Sequence, residues 1–315
     1  MEKNKSNSLM DQQLILTDSN YYSKEANWEY LSVSQFKDFM KCEAAALAKL
    51  KGEWDEGISS KALLVGNYVH SYFESKAAHE NFLEENNNQL FKEPTVKQLQ
   101  TGLDNLGTEY KKSAKKAELV DAYEGHPLPK GAMLSDFKIA EQMIDRIKDE
   151  PFLNFLWQGE PEKIVTGELF GVNWKGKIDL LNVDKGYFVD LKTTQTFDKR
   201  FWSNKYEGYV SFVEAYGYIT QMAVYEQLLE QEHGKPFKGY IYAVTKEKES
   251  DIAAIEPNEL KVEFELDYVA ENAERVEQVK TGQVEPEHCG ICDYCKHHKT
   301  LNSFVSTDEL LEQYR

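Results

Sequence analysis

Two aspartates stand inside consecutive apolar runs, and that placement constrains the chain more than any other feature. In GKIDLLNVDKGYFVDLKTT, residues 176–194, Asp179 lies between Ile178 and Leu180, and Asp190 between Val189 and Leu191. The two runs read as strands separated by a polar turn, DKG. A carboxylate among aliphatic neighbours is costly to bury unless it is paired or holds a cation. The spacing therefore predicts an antiparallel pair whose two carboxylates converge on one cation. Lys192 follows Asp190 by two residues, so the alternation of a strand puts both on the same side of the sheet.

These groups predict phosphodiester hydrolysis. Asp179, Asp190 and the backbone carbonyl of Leu191 are oxygen donors suited to a hard cation, Mg²⁺ or Mn²⁺. Such an ion lowers the pKa of a bound water and polarises a phosphoryl oxygen. Lys192 is placed to orient the nucleophile or to offset charge in the transition state. No side-chain nucleophile is needed.

Around this pair the periodicity changes. LSVSQFKDFMKCEAAALAKLKG begins with Ser32 and Gln35 in capping-box spacing and reads as a helix with Cys42 partway along it. SSKALLVGNYVHSYFES, capped by Ser59 or Ser60, reads as a second helix that turns His70 inward together with Leu63, Gly66 and Phe73. The lysines of KKSAKKAE, at 111, 112, 115 and 116, predict a basic helix edge, either a solvated face or a phosphate contact. SDFKIAEQMIDRIKD is a further helix. IVTGELF, GKIDLLNV and GYFVDLKTT form a meander turned at GVNWK and DKG, and YVSFVEAYGYITQMAVYEQLLEQEHG returns to helical spacing up to Gly234. FKGYIYAVTK is a strand, and KVEFELDYVAENAERVEQVKTG a strand followed by a helix. The economical parse is an N-terminal extension, 1–30, one α/β (α+β) domain over 31–300 with a helical insertion at 76–150, and a tail, 301–315.

Gly176, Asp179 and the run Asp190-Leu191-Lys192-Thr193-Thr194 resemble the PD-(D/E)XK nuclease superfamily, in particular its RecB-like branch with the phage and prophage RecE-like exonucleases. His70 in GNYVH is similar to that branch's upstream metal-ligand histidine, and Gln221 with Tyr225 in QMAVY to its helical Gln-x-x-x-Tyr motif. The resemblance implies a restriction-endonuclease-like core: a mixed central sheet flanked by helices. It implies that His70, Asp179 and Asp190 ligate metal, that Lys192 is the catalytic lysine, and that Gln221 and Tyr225 lie beside the DNA backbone. Leu180 stands where many members have arginine. Glu168 in GELF is an additional carboxylate for the site. The implied activity is a metal-dependent exonuclease on linear duplex ends in phage-type recombination, leaving single strands for an annealing protein; some relatives form trimeric rings around DNA. A Cas4-like end-processing nuclease or endonuclease would use the same residues, and a non-catalytic DNA-binding scaffold is the alternative of another class.

Cys289, Cys292 and Cys295 are spaced C-x2-C-x2-C, which supplies three thiolates to one soft metal centre. The only other cysteine is Cys42, and its FMKCEAA context resembles the N-terminal cluster ligand of the iron–sulfur AddB-like and Cas4-like nucleases. The resemblance implies a [4Fe-4S] cluster tying the two ends of the domain. Those relatives close with C-x2-C-x5-C, a position held here by His298, so participation of His288, His297 or His298 would suit structural Zn²⁺ instead.

The net charge of -17 argues against a polyanionic partner only when read as a sum. Residues 247–287 carry 13 acidic and 4 basic side chains, whereas 175–207 carry 7 basic and 5 acidic, so the strands of interest repel phosphate far less than the whole. GVNWKGK has the glycine and lysine spacing of a phosphate-binding loop, but Ile178 follows and two strands flank it, which excludes nucleotide hydrolysis. No run approaches the roughly 20 apolar residues of a membrane helix, no signal peptide is legible, and the expected location is the cytoplasm.

Overall fold

A computed structural model describes residues 13–55 and 61–308. The strands are β1 (Leu31–Ser32), β2 (Glu160–Leu169), β3 (Val172–Asn182), β4 (Tyr187–Thr194), β5 (Phe201–Ser203), β6 (Gly208–Val210), β7 (Lys238–Thr245) and β8 (Ile252–Ile255). Six of them form one mixed sheet and β5 and β6 a separate hairpin. β3 organises the sheet. β2 runs antiparallel along one of its edges, while the other edge is shared: β1 pairs in parallel with Trp174 and Lys175, and β4 pairs antiparallel only with Leu180–Asn182. β7 lies parallel to β4, and β8 closes the edge antiparallel to β7. This is the mixed sheet flanked by helices that the resemblance implies.

Each face of the sheet carries a helical layer. On one face Phe188, Ile241 and Ala243 bury against Phe36 and Phe39, Met222 and Leu228, and Val269 and Val276, from the helices Val33–Lys41, Tyr218–His233 and Glu259–Lys280. On the other, Val189, Leu191 and Val244 bury against Val65 and Tyr68 of Lys61–Glu74 and against Phe137 and Met143 of Ser135–Lys148. The alternation of β4 is thus apolar on both faces, as expected of a strand covered on both sides. Among the described residues no helix is long and apolar enough to cross a membrane.

Several local expectations are corrected. The first helix ends at Cys42, which is extended (φ -166°) and also precedes the next helix, Glu43–Lys51. The Ser59 and Ser60 caps lie outside the described residues, and Leu63 is exposed. All of GVNWK but its first residue is strand, and the β2–β3 turn is only Phe170-Gly171, both in the left-handed region at φ 56° and 74°. Of the KKSAKKAE lysines, only Lys116 is helical, in Lys116–Asp121. YVSFVEAYGY splits into β6, the short helix Phe212–Ala215 and the left-handed Gly217 before Tyr218. KVEFEL is not a strand: it belongs to the 22-residue helix that Asn258 caps, because Glu265, Val269, Ala273 and Val276 recur every three or four residues along one buried stripe. Residues 13–30 pack against the domain. Tyr21, Ala26 and Tyr30 are buried, and Lys175 of β3 donates to the Tyr21 carbonyl at 2.6 Å and to Asn27 Oδ1 at 2.8 Å.

Glu265 is fully buried and satisfied by three donors: Lys205 Nζ at 2.5 Å, Tyr206 Oη at 2.5 Å and Thr220 Oγ1 at 2.6 Å. It joins the segment between β5 and β6 to the two helices beneath. Breaking a buried pair by removing one partner leaves the other unpaired and costs about 3–5 kcal/mol. Glu265→Ala is therefore expected to lower unfolding stability by about that amount in urea titrations, whereas a loss under 1 kcal/mol would show that the network is not stabilising.

Candidate active site and thiolate cluster

The site begins where the β3–β4 ladder ends. Pairing stops at Leu180↔Val189, and one residue earlier Asp179 Oδ2 accepts the Leu191 backbone N–H at 2.6 Å, so a side chain replaces the missing strand partner. Into this opening reach groups from both helical layers. Gln221, on the Tyr218–His233 helix, donates Nε2 to Asp190 Oδ1 at 2.8 Å. His70, on the Lys61–Glu74 helix of the opposite layer, brings Nδ1 to 3.4 Å from Asp179 Oδ2. Lys192 Nζ stands 2.6 Å from Asp190 Oδ2 and 4.9 Å from the centre of the Tyr218 ring. Asp179, Asp190, Leu191, Lys192, His70 and Gln221 are therefore brought together.

Tyr225 sits one helical turn beyond Gln221 but turns onto β3. It is 6% exposed and lines the same cavity as the two aspartates. A Cβ on Gly176 would lie 2.4 Å from the Tyr225 ring, which gives the glycine its reason: only a bare backbone admits the ring. Glu168 is not brought to the site. It is exposed and pairs with Asn173, six residues from Asp179 along β3 and so about 20 Å away. Glu162 is the carboxylate beside Asp179 instead, raised above its ordinary range by burial and, against the pull of Lys177 at 2.9 Å, by the Asp179 charge.

The two central aspartates titrate in opposite directions. Burial opposes ionisation of Asp179, but His70, Lys192 and the Leu191 N–H outweigh it and hold the group below the carboxylate range. Burial raises Asp190, Lys192 opposes that rise, and the Asp179 charge adds to it. His70 is raised, because the Asp179 carboxylate outweighs the burial that would lower it. Lys192 is raised likewise: burial is outweighed by Asp190 and Asp179. Asp190 Oδ2 is buried with the Lys192 ammonium beside it at 2.6 Å. Two buried carboxylates side by side are the donor set a hard cation completes.

The carboxylates open into a cavity of about 610 Å³ lined by Lys24, Lys37, Lys49, Lys175, Lys177 and Lys192 against Asp38, Asp179 and Asp190. The wall is cationic in a chain of net charge -17. Lys37 had no motif to flag it. Its ammonium donates to the Tyr216 carbonyl at 2.9 Å, and burial, with the nearby Lys192 charge, lowers its pKa to about 8. Lys177 sat in the rejected loop-like GVNWKGK, which forms strand and not a phosphate cradle.

The four cysteines converge at the other end of the Val33–Lys41 helix. Their sulfurs all lie within 4.8 Å of one another, with Cys42–Cys295 at 3.6 Å and Cys289–Cys295 at 3.9 Å, and all four are free thiols. His288 Nδ1 is 3.6 Å from Cys295 Sγ, whereas His298 Nδ1 is on the Tyr294 carbonyl and His297 packs on Trp54. The donor set fits one soft metal centre. Next to it, Arg275 makes a two-pronged contact with Glu43 at 3.0 and 2.9 Å, and Ala44 N–H donates to the Glu287 carbonyl at 3.1 Å.

Comparison with known proteins places this arrangement. No curated protein matches the chain. A crystal structure of a protein from Eubacterium rectale, named as a candidate exonuclease, shares 34% identity over 94% of this chain and 98% of its own, with a TM-score of 0.76. The chain also aligns with SSO0001 at 15% identity over 76% of this chain and 97% of that one, but the TM-score of 0.29 carries no structural likeness. The family model described as a PDDEXK-like domain of unknown function (DUF3799) matches residues 32–298, which hold both the carboxylate site and the cysteine cluster. The chain belongs to that PDDEXK-like family.

Proposed function

We propose that the chain is a metal-dependent deoxyribonuclease that hydrolyses duplex DNA from its ends, a RecE-like exonuclease of phage-type recombination that leaves single strands for an annealing protein. The convergence of Asp179, Asp190, Lys192 and Gln221 at the floor of a lysine-lined cavity carries this reading. The name of the Eubacterium rectale protein supports exonuclease over endonuclease.

Asp179, Asp190, the Leu191 carbonyl and His70 would hold Mg²⁺ or Mn²⁺, which supplies an acidified water and a polarised phosphoryl oxygen. The chain's own residues do the rest. Gln221 fixes the rotamer of Asp190, and the Leu191 N–H and His70 fix that of Asp179. Lys192, held charged by both carboxylates, stands where it can orient the attacking water and offset charge growing on the phosphate. Tyr225 lines the same cavity and packs on Gly176 of β3, so it positions β3 beside the aspartates. Glu168 has no part in the site. The C-x2-C-x2-C spacing with Cys42 supports a [4Fe-4S] cluster of structural role, with Zn²⁺ as the other soft-metal occupant.

Duplex labelled separately at its 5′ and 3′ ends, incubated with Mg²⁺, Mn²⁺ or EDTA, is expected to be lost only with metal and only when linear; cutting of a covalently closed circle would make the enzyme an endonuclease, and no cleavage at all would favour the scaffold. Asp179→Ala and Asp190→Ala each remove several kcal/mol of transition-state stabilisation, about 10³-fold in rate. Duplex binding in EDTA should survive or tighten in both, and normal cleavage by either would place the site elsewhere. Lys37 and the buried Lys175 of the same cavity are both lowered to about 8, so DNA affinity should step down as pH rises through that value; Lys37→Met is expected to shrink the step and to weaken binding below that pH. Cys292→Ser should lose iron or zinc by elemental analysis and melt earlier, and unchanged metal content would reject the cluster.

A further inference from the structure

Between Phe91 and Met133 the chain leaves the domain and comes back through a narrow neck. The two residues form an isolated antiparallel bridge, flanked by Lys92 N–H to Ala132 O and Leu134 N–H to Leu90 O, both 2.9 Å. Gly131 lets the strands cross closely, since a Cβ there would lie 1.9 Å from the Lys92 carbonyl oxygen. Beyond the neck, the helix Val96–Leu106, with its Thr95/Gln98 capping box, and the helix Lys116–Asp121 enclose their own small core of Leu99, Leu103, Leu119 and Tyr123, separate from the two layers on the sheet. Tyr123 donates to the Leu99 carbonyl at 2.8 Å, and Gly102 leaves room for its hydroxyl.

This core adds nothing to the sheet; what it holds in place is the extended loop between its helices. That loop carries Lys111, Lys112 and Lys115, all exposed, and among the described residues no carboxylate pairs with any of them; Lys116 is engaged by Glu93 at 2.6 Å. The segment 91–130 has seven lysines against six carboxylates in a chain of net charge -17. Tyr110, the loop's one aromatic ring, is half-buried with its hydroxyl on Asp104 at 3.0 Å, so the loop offers point charges and no free ring for base stacking. Phosphate contacts of this kind position a duplex without reading its sequence.

We propose that residues 92–132 are an accessory DNA-binding unit whose Lys111–Lys115 loop grips the phosphate backbone of duplex DNA away from the cleavage centre. The proposal rests on DNA being the substrate. It is tested with the full-length chain carrying Lys111→Ala, Lys112→Ala and Lys115→Ala together, by anisotropy of a labelled duplex in EDTA over a range of NaCl, and by hydrolysis of bis(p-nitrophenyl) phosphate with Mn²⁺. Duplex affinity at low salt should fall at least about tenfold and the salt slope flatten by two to three, at about 0.9 per lysine. Hydrolysis of the small diester should be unchanged, and arginine at the three positions should restore binding. Unchanged duplex affinity and slope in the folded variant overturn the proposal. So does an equal loss in a control triple, Lys76→Ala, Lys248→Ala and Lys296→Ala, or a loss confined to single strands. A wild type that cleaves nothing but loses duplex binding on the loop substitutions would sink the nuclease reading and leave this one standing; a wild type that degrades DNA with binding indifferent to the loop would do the reverse.

Discussion

The hydrogen bond from the Leu191 backbone N–H to the Asp179 carboxylate is the contact on which the site depends. A strand pair that stayed zipped would spend that N–H on a carbonyl and leave no gap between β3 and β4. By accepting it, Asp179 lets the strands part without orphaning a buried donor, at the point where β1 has ended and β4 has not yet paired. Through the gap a histidine from one helical layer and a glutamine from the other approach the same pair of carboxylates. Neither layer alone could supply both.

Much of this was legible in the residues. The meander, the helix of Gln221 and the nearness of Asp190 to Lys192 follow from period-two and period-3.6 patterns that tertiary packing did not override. The misreadings share a cause: short alternations are ambiguous. KVEFEL alternates like a strand, and only the longer stripe of Val269, Ala273 and Val276 decides for helix. Cys42 looked mid-helix because nothing local marks a break; the chain is extended there where the four sulfurs converge, a relation with residues about 250 positions away that no local pattern encodes. Glu168 was singled out from sequence with no knowledge of the register of β2 on β3, which puts Glu162 beside Asp179 and Glu168 at the far turn. Lys37 and Lys177 are ordinary lysines in sequence, and only the shape of the cavity gives them a common address.

Charge shows the same separation of sum and arrangement. An acidic chain can still present a cationic surface if the lysines are concentrated around one cavity, even though burial weakens the charge of Lys37 and Lys175. Six lysines line a cavity whose floor is two aspartates, so an approaching phosphate meets attraction first and the carboxylates last. The excess acid is strong over residues 247–287, much of it on the long helix that backs the sheet.

The helix Val33–Lys41 joins the two special regions of the molecule. At one end Ser32 lies in the sheet beside Lys175, and at the other Cys42 joins the thiolates; between them Lys37 faces the cavity. A helix rises 1.5 Å and turns about 100° per residue, so this segment acts as a ruler with both ends pinned. Insertion or deletion of a single residue in it would swing Lys37 away from the cavity while also pulling one sulfur out of register. The segment can vary in side chain yet hardly at all in length, in contrast with the necked unit, whose size the sheet does not sense.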